Sequence, residues 1–351
     1  MLLIGAPGCN TIRADAQPRL NSCLRVEPVR FVLVTPAGAG THLGNRISAL
    51  RYARILRGLG HEVRVLMRWR GERCDALIAL HARRSHASIA RFARERKGQP
   101  ICVVLTGTDL YVDLPRNRRA RESLRLADAL VVLQPAALSR LDRSARKKAH
   151  VILQSAQALA PRPRRGFTAL VLGHLRPVKD PFRAALAARL LPESSRIVVR
   201  HAGKALSRAM AHRAGAEMRR NPRYRWLGDL THLRARRLLA GADVFVLSSR
   251  SEGGSLALGE ALVQGVPVLA SRIEANIAML GARHPGLYRL GDTRALARLL
   301  LRCEREPAFR AQLTRASRAR APLFAESRER AAWAKLVRAL DTDKKKPPRS
   351  Q

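Results

Sequence analysis

The chain has 351 residues, and its 67 lysines and arginines against 26 aspartates and glutamates give it a formal net charge of +41. A chain of this length is expected to form two domains of roughly 150 residues each. Hydrophobic residues make up 46% of it, which excludes wholesale disorder. Because no apolar run approaches about 18 residues, we also predict no membrane-spanning helix.

The cysteines indicate the compartment in which the protein works. The five cysteines are scattered along the chain and form no Cys-x-x-Cys pair. This pattern argues against a disulfide framework or a structural zinc site and predicts a cytoplasmic protein. The apolar start of the chain has no basic segment, so a signal peptide is not expected. We predict a loose extension at residues 1–28 and a disordered, charged tail at residues 341–351.

Arginine dominates the positive charge, with 58 arginines against nine lysines. These residues spread along the whole chain, whereas a nucleic-acid-binding protein favours a basic stripe with aromatic residues between the charges. Aromatic residues make up only 4% of this chain. We therefore expect solvated basic helix faces, no specific nucleic acid partner, and at most weak membrane contact through residues 116–121. The charge should attract anionic substrates.

Short apolar runs alternate with helical segments in the first half of the chain. A helix is predicted at residues 45–59, where apolar residues recur at helical spacing before Gly60. The predicted strands are 29–34, 63–67, 76–80, 101–105, 129–133 and 151–153. This alternation predicts a parallel sheet with right-handed crossovers, which is an α/β fold.

A stretch rich in proline and arginine interrupts the alternation at residues 156–166 and predicts a linker. The alternation then begins again, with predicted strands at 169–172, 196–199, 224–227, 243–247 and 267–270. We therefore predict two doubly wound, Rossmann-like domains, at residues 29–155 and 167–324. Ligands of such domains bind beyond the carboxyl ends of the strands, so the loops that follow strands are the places to search.

The strongest motif follows the predicted strand at 243–247. Gly253 and Gly254 lie at the start of a helix, where free amides and the helix dipole favour phosphate oxygens. Glu252 precedes the glycines and Glu260 lies within the helix, so the two carboxylates can reach different parts of one nucleotide-sugar. Either glutamate alone would more often be an exposed acid near a helix start, but the glycine pair favours a binding site.

The Glu-x7-Glu spacing of Glu252 and Glu260 resembles that of the family-4-type glycosyltransferases of the GT-B fold. This resemblance implies two domains that face a central cleft, with a return helix at residues 325–340 that rejoins the first domain. It implies that Glu260 holds the ribose hydroxyls and that Glu252 is catalytic and holds the transferred sugar.

The loop after the first strand of the second domain also resembles this family. Its Gly-x-Leu-x3-Lys pattern runs from Gly173 to Lys179, with His174 where the family carries an arginine and Arg176 as the replacement cation. Such cations would neutralise the charge of a departing diphosphate. The donor-binding residues that the resemblance implies are His174, Arg176, Lys179, Leu230, Gly253, Gly254, Ser255 and Glu260.

The first domain is expected to bind the acceptor. Thr106 stands where the family carries a histidine ahead of Gly-Thr-Asp, and Asp109 of this motif is the second predicted catalytic residue. A glycine-rich turn opens the helix at 45–59, and its His42 either cradles an anion or caps the loop. The predicted acceptor-binding residues are Gly38, Gly40, Thr41, His42, Asn45 and Thr106.

The whole set of motifs resembles a narrower group, the selenosugar synthases of selenoneine biosynthesis. The matching stretches are 44–46, 105–111, 123–134, 173–181, 224–228, 249–260, 271–276 and 291–293. This resemblance implies that a sugar moves from UDP-N-acetylglucosamine or UDP-glucose onto selenophosphate, with UDP-sugar and selenophosphate as the ligands. Selenophosphate is a soft anionic nucleophile, so Thr106 in place of a histidine would cost little.

Two alternatives remain open. One is a GT-B glycosyltransferase with a hydroxyl acceptor, in cell-envelope or small-molecule glycoside synthesis. The other is a basic scaffold that binds nucleic acid, which would need neither Glu252 nor Glu260. No metal and no cofactor are expected, because the only Asp-x-Asp, at 341–343, lies in the charged tail.

Overall fold

The computed structural model describes residues 27–38, 40, 44–160 and 166–344, with side chains up to residue 340. Within these residues the chain forms two six-stranded sheets, in which neighbouring strands are parallel throughout. The predicted fold class is confirmed: the protein is an α/β protein with two Rossmann-like parallel sheets. Residues 1–26 of the predicted extension, part of the linker and residues 345–351 of the predicted tail lie outside the described residues, whereas residues 341–344 of that tail form the end of the last helix.

The first sheet is built by the first half of the chain. Its strands are β1 (Arg30–Val34), β2 (Glu62–Leu66), β3 (Ala76–Leu80), β4 (Ile101–Leu105), β5 (Ala129–Val132) and β6 (Ala149–Val151). Their order across the sheet is β2-β1-β3-β4-β5-β6. The helices between them are α1 (Gly44–Gly58), α2 (His86–Glu95), α3 (Arg118–Leu126) and α4 (Arg143–Lys147).

The second sheet repeats this plan. Its strands are β7 (Phe167–Leu172), β8 (Ile197–Ala202), β9 (Tyr224–Trp226), β10 (Val244–Leu247), β11 (Val268–Ser271) and β12 (Leu287–Tyr288). Their order is β12-β11-β10-β7-β8-β9. The helices are α5 (Arg183–Ala188), α6 (Arg208–Arg220), α7 (His232–Ala240), α8 (Leu256–Gln264), α9 (Glu274–Leu280), α10 (Thr293–Arg305), α11 (Pro307–Arg320) and α12 (Glu326–Lys344).

Two edge strands differ from the sequence prediction. The strand predicted at 151–153 lies two residues earlier, as β6, and β12 was not predicted. All three residues of β6 are only half-buried, and β12 has only two residues. An edge strand with one covered side needs no continuous apolar run, so neither segment carries the pattern of the fully buried β3 and β4.

The last helix leaves the second sheet and packs on the first. Trp333 of α12 lies in the same apolar cluster as Phe31 of β1 and Tyr52 of α1. The Trp333 and Tyr52 rings are 4.7 Å apart between centroids, and both side chains are fully buried. Along the sequence, the second domain therefore lies between two segments that pack in the first domain. Among the described residues, no helix combines the length and the apolar character needed to cross a membrane.

A buried carboxylate fastens α12 to the segment that connects the two sheets. Glu329 Oε2 accepts hydrogen bonds from the backbone amide of Ser155 at 2.7 Å and from its hydroxyl at 2.6 Å. Arg51 of α1 donates to the same oxygen at 3.2 Å and to the Ser155 carbonyl at 2.5 Å. One carboxylate thus joins α1, the connecting segment and α12, at the point where the chain leaves the first sheet.

We expect Glu329→Ala to lower the free energy of unfolding by about 3 kcal/mol, because it leaves the partly buried Arg51 and the buried Ser155 without their shared acceptor. Urea unfolding measures this change. Glu326→Ala is the matched control on the same helix, since Glu326 bonds Gln157 at the surface and its loss should cost less than about 1 kcal/mol. Equal effects of the two substitutions would contradict the role assigned to Glu329.

Candidate active site

The strand order identifies where a ligand should bind in each sheet. The order reverses between β1 and β3 in the first sheet and between β7 and β10 in the second. Open parallel sheets bind ligands in the crevice beyond the carboxyl ends of the strands at such a reversal. Four loops qualify, namely those that follow β1, β3, β7 and β10, and the predicted Glu252, Lys179 and Arg176 all lie on the last two.

The carboxyl ends of the two sheets meet through backbone atoms. A Cβ atom on Gly107 would lie 2.8 Å from the amide nitrogen of Gly253, and one on Gly253 would lie 2.5 Å from the Thr106 carbonyl oxygen. A Cβ atom on Gly254 would lie 2.4 Å from Cβ of Leu133. Gly253 and Gly254 were predicted to allow the close approach of a ligand, and in the structure they allow the close approach of the first domain. This contact closes one side of the cleft.

Lys179 and Glu252 form a close ion pair at this contact. The Lys179 ammonium group lies 2.6 Å and 2.8 Å from the two carboxylate oxygens of Glu252. The Ser249 hydroxyl also donates to Glu252, at 2.5 Å. Glu252 is buried, so three donor hydrogen bonds hold its carboxylate at the mouth of the second sheet. The structure thus brings together a predicted clamp residue and a predicted catalytic residue.

The loops that carry this pair are tied to each other. The Ser248 hydroxyl donates to the carbonyl of Asp180 at 2.9 Å, and the Arg250 amide donates to the carbonyl of Val178 at 2.8 Å. Asp180 adopts a left-handed conformation, with φ of 44°, which ends the short turn that presents Lys179. The loops after β7 and β10 therefore form one unit.

Glu260 lies on α8, beside a cavity of about 440 Å³ between the two domains. His232 Nε2 lies 2.5 Å from Glu260 Oε1, and Arg236 approaches the same oxygen at 3.9 Å. Leu230 lies two residues before His232, in the turn that leads into α7. The lining residues are Arg46, Ile47, Leu50, Arg51, Arg54, Ser155, Ala156, Gln157, His232, Arg236, Glu260 and Glu326. The buried carboxylate of Glu260 thus faces a space of the size that a nucleoside needs.

Two histidines hold the start of the loop after β7. His201 Nε2 donates to the Gly173 carbonyl at 2.9 Å, and its Nδ1 accepts from the Tyr224 hydroxyl at 3.1 Å. Burial lowers the pKa of His201 to about 4, so this neutral hydrogen-bonding pattern persists at pH 7. The predicted donor residue His174 accepts at Nδ1 from the Lys204 amide at 3.1 Å. Through that contact His174 helps to fix the loop that carries Arg176.

Ser255 caps α8, since its hydroxyl accepts from the Leu258 amide at 3.3 Å. The start of α8 lies next to the contact with the first domain, and the first amides of a helix favour anions. Among the residues that the structure describes, no group of three histidine, cysteine or acidic side chains is placed to hold a metal ion.

Asp109 is fully buried and binds the backbone of two loops. Its Oδ1 accepts from the amides of Thr106 at 2.9 Å and Gly107 at 2.8 Å, and its Oδ2 accepts from the Ala82 amide at 3.0 Å. The carboxylate of Asp109, predicted to be catalytic, is thus occupied by backbone hydrogen bonds and has no exposed surface. The half-buried Thr106 lies directly at the contact with Gly253.

The glycine-rich loop after β1 is described only in part. Thr41 and His42 lie outside the described residues. Gly40 has φ of +78°, a left-handed conformation that favours glycine. The Asn45 carbonyl accepts from the Thr35 hydroxyl at 3.3 Å, which anchors the start of α1 beside β1.

Sequence reasoning missed the loop after β3. His81 is buried with a left-handed φ of 71°, and burial lowers its pKa. Arg83 pairs with Asp113 at 2.9 Å, and Arg84 follows it on the exposed side of the loop. The signal was present, because His-Ala-Arg-Arg comes directly after a strand of five apolar residues.

The part of the chain that carries the site matches a known family. The family model of Glycosyl transferases group 1 matches residues 157–320. This range contains Lys179, Glu252 and Glu260, so the second domain has the sequence pattern of a group 1 glycosyltransferase domain. By sequence, no curated protein matches the chain.

The same fold recurs in solved structures. Sucrose-phosphate synthase from Thermosynechococcus elongatus aligns with a TM-score of 0.73 and 16% identity, over 90% of this chain and 99% of that one. HepE of Anabaena, solved with UDP and glucose, aligns with a TM-score of 0.71 and 14% identity, over 89% and 100% of the two chains. A glycosyltransferase from Rickettsia africae aligns with a TM-score of 0.69 and 13% identity, over 92% and 100%. The two facing Rossmann-like domains are those of the GT-B fold.

We expect Gly254→Ala to hold the two domains apart, because its Cβ atom would overlap Leu133. Small-angle scattering should show a larger radius of gyration than the wild type. Gly215→Ala, on the outer helix α6 with no Cβ contact under 3.6 Å, is the control and should leave the scattering unchanged. Identical scattering from wild type and Gly254→Ala would contradict the direct backbone contact.

Proposed function

We propose that the protein is a GT-B glycosyltransferase that transfers a sugar from a UDP-sugar onto selenophosphate. The observation that carries the first part is that one domain, with the group 1 glycosyltransferase pattern, holds both the Lys179–Glu252 pair and the cavity lined by Glu260. The acceptor rests on the resemblance of the sequence motifs to selenosugar synthases.

The donor would lie along the second domain. HepE of Anabaena, which shares the fold, has been solved with UDP and with UDP-glucose. In this chain, Glu260 would accept from the ribose hydroxyls within the cavity, and Lys179 with the amides at the start of α8 would bind the diphosphate. Glu252 would then accept from hydroxyls of the transferred sugar. A fixed cation beside the leaving diphosphate stabilises the charge that develops as the glycosidic bond breaks.

The transfer balances without a redox partner. The bond between the anomeric carbon and the β-phosphate oxygen breaks, and its electron pair leaves with UDP. A lone pair of the selenium of selenophosphate forms the new carbon–selenium bond. Water then cleaves the selenium–phosphorus bond, which releases phosphate and the selenosugar. Because selenium attacks as an anion, the step requires no general base at Thr106, and Asp109 is left free to position its two loops.

We expect Glu252→Gln and Glu260→Gln to differ in their effects. Loss of the Glu260 carboxylate should weaken UDP binding by about tenfold or more, because two ribose hydroxyls lose a charged acceptor. Loss of the Glu252 carboxylate should reduce turnover of the UDP-sugar while UDP still binds. Calorimetry with UDP and an assay of UDP release measure the two quantities. Glu306→Gln, which removes a surface partner of Arg302, is the control and should change neither.

The acceptor is tested by UDP release from UDP-N-acetylglucosamine and from UDP-glucose, with and without selenophosphate, under reducing anaerobic conditions. We expect release only with selenophosphate, together with a selenium-bearing sugar detected by mass spectrometry. Release with hydroxyl acceptors and none with selenophosphate would overturn the proposed acceptor and favour the cell-envelope or small-molecule alternative. Strongly salt-dependent DNA binding that is unchanged in Glu260→Gln would favour the basic scaffold.

A further inference from the structure

The loop after β3 presents Arg84 in a fixed position. The Ser85 hydroxyl donates to the Leu80 carbonyl at 2.6 Å, and the Ser123 hydroxyl donates to the Ala82 carbonyl at 2.8 Å. The Ala82 amide is bound by Asp109, as described above. The loop is therefore fastened on both sides of Arg84, while the side chain of Arg84 itself lies on the exposed face.

The same network brings this loop to the domain contact. Asp109 binds Ala82 with one carboxylate oxygen and the Thr106 and Gly107 amides with the other. Gly107 in turn touches Gly253 of the second domain. Arg84 is thus held beside the place where the loops after β7 and β10 meet the first domain.

Arg176 lies on the opposite side of this contact, in the loop after β7. Its side chain is half-buried, and its Nε atom is buried without a hydrogen-bond partner among the described residues. Burial lowers the pKa of Arg176, Glu252 raises it, and Arg84 lowers it from across the cleft. A buried guanidinium nitrogen without an acceptor costs free energy unless a ligand supplies one.

Two of the other cations nearby are already paired. Lys179 is neutralised by Glu252, and Arg83 by Asp113. Asp109 is bound to backbone amides, and Arg84 makes no ion pair among the residues described. The positive charges of Arg84 and Arg176 therefore remain in excess, and they come from different domains.

We infer that Arg84 and Arg176 together bind the tetrahedral oxyanion of the acceptor, one guanidinium from each domain. This inference rests on the proposed function, and it assigns to Arg176 the acceptor instead of the donor diphosphate. Guanidinium groups bind phosphate oxygens in a paired geometry, so two of them fix both the position and the orientation of a phosphate group. The fourth substituent of that phosphate, the nucleophilic atom, then points away from the arginines and toward the sugar held at Glu252.

The test measures the acceptor and the donor separately. In Arg84→Gln and Arg176→Gln, the KM for selenophosphate should rise by about tenfold or more, because each substitution removes a charged hydrogen-bond donor. The KM for the UDP-sugar should stay within about twofold of the wild type, a margin set by the more distant effects of one lost charge. Arg83→Gln is the matched control, because Arg83 lies next to Arg84 but is already neutralised by Asp113.

Binding of inorganic phosphate tests the oxyanion site independently of the proposed transfer reaction. Calorimetry in the presence of UDP should show phosphate binding to the wild type, weakened in both glutamine variants and partly kept in Arg84→Lys. If selenophosphate gives no UDP release but phosphate binds in this arginine-dependent way, the oxyanion site stands and the proposed acceptor falls. If both variants bind phosphate as the wild type does, or if Arg176→Gln weakens UDP alone, the inference is wrong.

Discussion

The direct backbone contact between the two domains is the constraint on which the rest of the site depends. At Gly107 and Gly253 the backbones of the two domains approach so closely that a Cβ atom on either glycine would overlap the other domain. Packing of this kind has no side chain that can adjust, so the loops are either in contact or apart. In contact, the loops after β3 and β4 and those after β7 and β10 form one cleft. Each sheet on its own would present only half of the charged groups that we assign to the ligands.

The Lys179–Glu252 pair gives this cleft its internal charge balance. A buried carboxylate is stable only beside cations and hydrogen-bond donors, and Lys179 and Ser249 supply both. On the proposed function, a diphosphate bound at Lys179 would compete with Glu252 for the same ammonium group, and donor binding would then be linked to the release of Glu252 toward the sugar. The exposed interdomain pair of Arg140 and Glu274, at 2.7 Å, contributes little by comparison, because solvent and salt screen it.

The sequence singled out candidate site residues where a motif has a characteristic spacing, and it missed residues that are marked by their type alone. Glu252 and Glu260 stand eight positions apart around two glycines, a pattern that few surface glutamates share. Arg84 is one of 58 arginines, so its residue type did not distinguish it from the others. Only the fold shows that it lies at the carboxyl edge of a sheet. Asp109 was singled out by its motif, yet its complete burial was not predictable, because it depends on the Ala82 loop that lies 27 residues earlier. The buried strands followed from their apolar runs, whereas β6 and β12 lie at edges where pairing alone defines the strand.

The connection between the domains explains how a bound ligand could favour the arrangement in which the two domains are in backbone contact. Glu329 fixes α12 and Ser155 to α1, so the chain enters and leaves the second domain beside a rigid point of the first. Any rotation of the second domain would then take place about these two crossings. An anion held between Arg84 and Arg176 would stabilise only the closed arrangement, because the two guanidinium groups belong to different domains. Acceptor binding, domain closure and exclusion of water would then be a single event, and closure without the acceptor would bring two positive charges together.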